Sequence, residues 1–234
     1  MNLIILENDE IYESIADITG KKLEHILTFI KPVIGDKLKV GVLNGSIGCG
    51  TVTEINEKKI TIRIDLQNPP PAPLPLKLII AMPRPKVLNR LIQNAASMGI
   101  KEIFIIKTWR VEKSYWDSPV LDEINLKNQM ITGLEQSRDT ILPTIKVKKL
   151  FKPFVEDELK YIIEDNITLV AHPMSKNDAP RRVKKPVTLA IGPEGGFIPY
   201  EIEALEKIGF QPISLGERIL RVETALPYIV GRIF

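Results

Sequence analysis

Apolar and polar residues alternate through the first part of the chain. Lys37-Leu38-Lys39-Val40-Gly41-Val42-Leu43 has the period of two expected of a half-buried strand, and Asn44-Gly45 supplies a hairpin turn after it. Thr51 to Ile55 and Lys59 to Ile64 continue the pattern across the turn-like Asn56-Glu57-Lys58. A short helix is predicted around Lys21 to Phe29. Residues 1–67 therefore read as a small β-rich module of barrel type.

Asn68-Pro69-Pro70-Pro71-Ala72-Pro73-Leu74-Pro75 interrupts the pattern with five prolines in eight residues. Proline lacks the amide that a helix interior or a central strand needs, so residues 68–75 read as an extended, semi-rigid linker. A long surface loop within one domain is the alternative.

Beyond it the periodicity alternates between strand and helix. Leu76 to Ala81 is a strand, and Lys86 to Met98 a helix with Leu88, Leu91, Ile92 and Ala95 on one face. Strands are predicted at Glu102 to Lys107, near Ile145, at Thr168 to Ala171, at Val187 to Ile191 and at Pro212 to Leu215. Helices are predicted from about Ser118 to Ser137, from Pro199 to Ile208 and from Ala225 to Ile233. This βαβ order implies an α/β domain over residues 76–234, with a largely parallel sheet covered by helices.

Composition narrows the class. The 234 residues, 44% hydrophobic, can build one large domain or two small ones. The N-terminus has no basic leader and no apolar run approaches a membrane span, so a cytoplasmic protein is expected. One cysteine, Cys49, excludes a disulfide framework and a thiolate zinc site; metal use is not expected. A net charge of +3 permits an RNA partner without requiring one.

Two glycine-rich stretches differ in context. Gly45-Ser46-Ile47-Gly48-Cys49-Gly50 lies between strands with no helix after it, and reads as a plain hairpin. Ile191-Gly192-Pro193-Glu194-Gly195-Gly196-Phe197 joins a buried strand to a helix, where α/β sheets bind ligands. It lacks the lysine and hydroxyl residue that a triphosphate wants, so an adenine ligand without phosphates suits it better. Taken alone, such a loop is more often simple turn chemistry. A second stretch, Ser214-Leu215-Gly216-Glu217-Arg218-Ile219-Leu220-Arg221-Val222-Glu223-Thr224-Ala225, offers an apolar slot for a purine through Leu215, Ile219 and Leu220. Surface ion pairing at a helix entrance is its other reading.

Taken together, Gly-Pro-Glu-Gly-Gly-Phe and Ser-Leu-Gly-Glu-Arg-Ile-Leu-Arg-Val-Glu-Thr-Ala closely resemble the hallmark of the bacterial small-subunit ribosomal RNA uridine-N3 methyltransferases, a branch of the SPOUT class. Leu134-Glu135-Gln136-Ser137-Arg138 resembles that family's Glu-Gln-Ser-x-Arg stretch, and His25, Lys31 and Gly35-Asp36 its His, Arg, Gly-Asp pattern. The resemblance implies an α/β fold made of a SPOUT trefoil-knot methyltransferase domain and an N-terminal PUA-like β-barrel that helps hold RNA. It further implies a homodimer whose active sites are completed by the partner chain, and the cofactor S-adenosylmethionine. That cofactor would lie among Ala171, His172 and Pro173, the loop of Ile191, Gly192, Glu194, Gly195 and Gly196, and the loop of Leu215, Gly216, Ile219 and Leu220. Three departures are evident: Ala96-Ser97-Met98-Gly99 stands where the family has Thr-Glu-Leu-Gly, Lys31 stands for an arginine, and Pro227 lies early in the last helix.

Uridine N3 carries a weakly acidic proton, so its methylation favours a group that stabilises negative charge on the uracil oxygens. Arg221, always charged, is the first candidate, and Glu223 could accept the proton or fix Arg221. Glu194 reads as structural, bonding loop amides. His172 reads first as a satisfied polar residue and second as a cofactor ligand or base. Candidates for RNA contact are His25, Lys31, Arg84, Arg90, Arg110 and Arg138. Trp109, Tyr115 and Trp116 interleave with Lys107, Arg110 and Lys113, a combination able to stack a base and hold phosphates; solvated loops are the alternative for each basic cluster. The expected activity is methylation of uridine N3 in small-subunit ribosomal RNA. The alternatives are a SPOUT methyltransferase for another RNA base, or a PUA-type RNA-binding protein without catalysis.

Overall fold

The computed structural model describes residues 2–234, which divide into two compact units. The first unit holds the chain up to Ala72 together with Ile131–Leu142. Its strands are β1 (Ile4–Leu6), β2 (Ile11–Tyr12), β3 (Ile15–Ile18), β4 (Lys37–Val42), β5 (Ile47–Ile55) and β6 (Ile60–Asn68). They form one sheet in the order β1-β4-β5-β6-β3-β2, antiparallel apart from the β1–β4 pair. Helix α1 (Gly20–His25) runs on as a π-helical turn, Ile26–Ile30. Alternation delivers Leu38 and Val40, Val52, and Ile60 and Ile62 to one buried core with Ile4, Leu6, Leu23 and Ile26. Register shifts in the β5–β6 pair, at Ile47/Gly48 and Val52/Glu54, increase local twist and curl the sheet into a half-barrel.

The Gly45–Gly50 run is a hairpin, with the Gly45 amide donating to the Val42 carbonyl at 2.8 Å. Its glycines also permit close strand approach: a Cβ on Gly48 would lie 1.8 Å from the Asp65 carbonyl oxygen. Residues 131–142 group with this unit rather than with the residues around them because backbone bonds pin them there. Asn2 donates to the Glu135 carbonyl at 3.1 Å, Asn44 to the Thr140 carbonyl at 2.8 Å, and Leu142 to Asn44 Oδ1 at 2.9 Å.

The second unit is Pro73–Met130 with Pro143–Phe234. It contains β7 (Leu76–Ala81), α2 (Pro85–Ser97), β8 (Glu102–Ile106), α3 (Glu123–Ser137, divided between the units after Met130), β9 (Thr144–Lys148), β10 (Ile167–Ala171), β11 (Val187–Ile191), α6 (Pro199–Lys207), β12 (Gln211–Ile213) and α7 (Val222–Ile233). A helical stretch between β9 and β10 comprises α4 (Phe151–Pro153), a π-helical turn (Phe154–Leu159) and α5 (Lys160–Ile162), and buries Phe154, Val155 and Leu159. All strands pair in parallel, in the order β12-β10-β11-β7-β8-β9. β7 and β11 are central, which is why they read as nearly unbroken apolar runs.

Two helix boundaries depart from the periodicity. The helix predicted from Ser118 begins only at Glu123, because Lys113–Asp117 and Pro119–Leu121 form 3-10 turns and the Ser118 hydroxyl accepts the Val120 amide. The last helix starts at Val222 rather than Ala225, so Pro227 stands sixth in it, in the second turn and beyond the first turn expected to tolerate it. The segment after β10 is bonded to both β12 and the end of α7. Ser214 donates to the Asn177 carbonyl at 2.7 Å, Ala179 to the Ser214 carbonyl at 3.2 Å, and Val183 to the Ile233 carbonyl at 2.8 Å. Among the described residues no helix is long and apolar enough to cross a membrane, and no group of three or more His, Cys, Asp or Glu is placed to hold a metal ion.

Candidate active site

The carboxyl ends of β10, β11 and β12 open onto a cleft of about 240 Å³ within the second unit. Three loops make it. Ala171, His172 and Pro173 come from the end of β10, Ile191, Gly192, Glu194 and Gly196 from the turn after β11, and Leu215, Gly216, Ile219 and Leu220 from the stretch after β12. Phe197, Ile213, Val222 and Ala225 add apolar wall. Parallel strands end at one edge of a sheet, so loops distant in sequence converge there.

Each loop is fixed by short-range chemistry. The His172 amide donates to the Ile213 carbonyl at 2.9 Å, tying the first loop to β12. Gly192 packs so closely that a Cβ would stand 3.1 Å from the Phe197 amide and ring, and Gly196 has φ +71°, a left-handed conformation open to glycine at little cost. Gly216, at φ +107°, turns the third loop, where its amide donates to the Ser214 hydroxyl at 3.2 Å.

Gly195 alone among the cofactor candidates does not line the cleft. Its carbonyl accepts a hydrogen bond from the Arg110 guanidinium, and a Cβ on it would meet the Arg110 side chain at 3.2 Å. Glu194, besides lining the cleft, accepts the Arg84 amide at 3.1 Å, so its carboxylate bonds an amide of the neighbouring loop at the N-cap of α2. Glu201 is 3% exposed, and its two oxygens accept the amides of Trp109 at 2.7 Å and Ile198 at 3.0 Å. Glu201 also lies in the first turn of α6, and its reach across to Trp109 has no local signal in the sequence.

Arg221 lines the cleft and is the N-cap of α7, with an exposed side chain. Glu223 lies half-buried in the first turn of the same helix and is not among the lining residues. Arg218, an unpredicted second guanidinium, also lines the cleft. An apolar slot with guanidinium groups at one side can hold an adenosine and meet a carboxylate or a developing negative charge.

The candidates for RNA contact divide between the units. In the first, His25 stands at the end of α1 with its ring 4.7 Å from Phe29, Lys31 is exposed at φ 52°, and Arg138 is exposed just after α3. In the second, Arg84, Arg90 and Arg110 are exposed, although Arg110 already spends a donor on Gly195. Trp109 is 80% exposed, as a stacking residue requires. Trp116 is buried at 8% and cannot stack a base from solvent, because its 3-10 turn folds the indole into the core.

The profile of the RNA methyltransferase domain matches residues 70–233, and the chain belongs to that family. Among its relatives are Ribosomal RNA small subunit methyltransferase E of Treponema pallidum, 28% identical over 96% of this chain and 87% of that one, and Ribosomal RNA small subunit methyltransferase E 1 of Borreliella burgdorferi, 28% identical over 96% and 94%. Ribosomal RNA small subunit methyltransferase E from Neisseria gonorrhoeae, solved bound to S-adenosylmethionine, superposes with a TM-score of 0.74 at 20% identity, covering 99% of this chain and 96% of that one. The fold is thus a curled half-barrel sheet plus a parallel α/β domain of SPOUT type.

Proposed function

We propose that the protein methylates N3 of a uridine in small-subunit ribosomal RNA, using S-adenosylmethionine held in the cleft at the ends of β10, β11 and β12. The observation that carries this reading is the convergence of three loops, separate in sequence, on one apolar cleft with Arg221 at its wall. The Gly192, Leu215 and Ile219 region would hold the adenosine. When bound, the cofactor supplies an electrophilic methyl group on a sulfonium. The N3–C bond forms as the S–C bond breaks, the N3 proton leaves, and a neutral thioether remains.

The chain's own residues would orient and stabilise. Arg221, at the N-cap of α7, spreads positive charge toward the uracil oxygens as negative charge develops there. Glu223, two residues on, accepts the proton or holds the guanidinium. His172 contributes to the cofactor wall. The half-barrel, read as PUA-like, holds RNA through His25, Lys31 and Arg138, while Arg84, Arg90 and Arg110 serve the same purpose on the second unit. The cleft is open and Arg221 exposed in the single chain, which fits a homodimer in which the partner completes the site. A trefoil knot accords with β12 pairing to β10 and with the bonds that tie residues 177–183 to both Ser214 and Ile233. A cytoplasmic location follows from a ribosomal substrate.

Calorimetric titration of the protein with S-adenosylmethionine tests the cofactor assignment. Stoichiometric binding, weakened by substitution of Leu215 or Leu220, is expected. No binding would favour an RNA-binding protein without catalysis.

A further inference from the structure

Resting on the methyltransferase reading, we propose that Glu201 is a positioning residue. It holds Trp109 at the rim of the glycine loop as a stacking platform for a base of the RNA beside the target nucleotide.

A buried carboxylate is costly unless fully bonded. The fold nevertheless commits Glu201, 3% exposed, to two backbone amides, one of which belongs to Trp109, whose indole is 80% exposed. The other amide, of Ile198, closes the turn that carries the glycine loop into α6. One carboxylate therefore sets the spacing between the Trp109 backbone and the loop assigned to the cofactor. Arg110 adds a second clasp, its guanidinium bonding the Gly195 carbonyl. Two residues on, Val111 is buried and donates its amide to the Thr108 carbonyl at 3.3 Å, so the turn that displays Trp109 is anchored on its own side as well. Lys107 and Lys113 flank it in sequence with cations suited to phosphates. An exposed indole on a braced backbone between cations is the arrangement by which single-stranded nucleic acid is stacked and held.

The test is methyl transfer to purified small ribosomal subunits, read as KM and kcat, with cofactor affinity measured by calorimetry. Trp109→Ala is expected to raise the RNA KM roughly tenfold, the scale of one lost stacked base, with kcat within about twofold, and Trp109→Phe to restore most of it. Glu201→Gln, which keeps one accepting oxygen, should raise the same KM several-fold. Combined with Trp109→Ala it should add little, as two residues acting through one contact do. An unchanged KM in Trp109→Ala, losses that multiply in the double variant, or a changed subunit mass for Trp109→Ala in light scattering would overturn the proposal; the last would make the indole a subunit contact. Should Glu201→Gln fail to fold, the contrast between Trp109→Ala and Trp109→Phe still decides. Failure of the unaltered protein to bind cofactor sinks the methyltransferase reading itself, whereas intact cofactor binding with an unmoved RNA KM sinks this inference alone.

Discussion

The carboxylate of Glu194 accepts the backbone amide of Arg84 at 3.1 Å across 110 residues of chain. This bond ties the glycine loop after β11 to the start of α2, so the wall of the cleft is held by an element from the other end of the domain. Glu194→Ala should therefore weaken S-adenosylmethionine binding about fivefold, the scale of one solvent-accessible hydrogen bond. Glu194→Gln, which keeps an acceptor, should lose less. Equal affinities for all three proteins in calorimetry would show that the tie does not shape the site.

Arg221 and Glu223 are each tested by a single substitution read in kcat. Removing the guanidinium in Arg221→Ala should lower kcat by about a hundredfold or more, as removal of a transition-state charge partner does, while cofactor affinity changes little. Glu223→Gln should lower kcat by about a hundredfold if the carboxylate takes the N3 proton. An unchanged rate of methyl transfer for Glu223→Gln would discard that role.

Gly48 is tested by stability rather than activity. A methyl group there would stand 1.8 Å from the Asp65 carbonyl oxygen, backbone that cannot rotate aside. Gly48→Ala should force β5 and β6 apart and destabilise the half-barrel by about 1–3 kcal/mol, the range for overpacking. Thermal melting with unchanged midpoint would contradict the register of that strand pair.

Glu135 gives a pH signature. Burial pushes its carboxyl above the ordinary value of 4.5, opposed in smaller measure by the Ile5 amide and by the positive charges of Lys22 and the N-terminus. The folded state therefore holds this proton more tightly than the unfolded chain. Its favourable contribution is present below the ordinary value and is lost as pH rises through the higher folded one. Glu135→Gln, which stays neutral, should gain stability relative to the natural protein as pH climbs from 4 to 7. A difference in melting temperature that is flat with pH would rule this out.

How much of this was legible in the sequence depends on the range of the forces involved. Leu76–Ala81 and Val187–Ile191 were placed to the residue because central parallel strands are apolar on both faces. The start of α3 was misplaced because hydrophobic spacing continues through Ser118 and Pro119 although the backbone there is 3-10. The helical stretch Phe151–Ile162 went unread, since its π-helical middle breaks the 3.6-residue period. Ile131–Leu142 looks like ordinary helix and loop; bonds to Asn2, Asn44 and Gly45, about a hundred residues away in sequence, draw it to the first unit. The cleft residues were legible as a local motif, whereas Arg110 on Gly195 and Glu201 on Trp109 were not, because neither pair leaves a mark in local spacing.

On the function proposed above, this cleft directs a methyl group to N3 of a uridine in small-subunit ribosomal RNA. Mass analysis of nucleosides from small ribosomal subunits incubated with the protein and S-adenosylmethionine tests it most directly. One 3-methyluridine per subunit is expected, formed about a hundredfold more slowly when Arg221→Ala replaces the protein. A methyl group on any other base, or none while the cofactor binds, would contradict it.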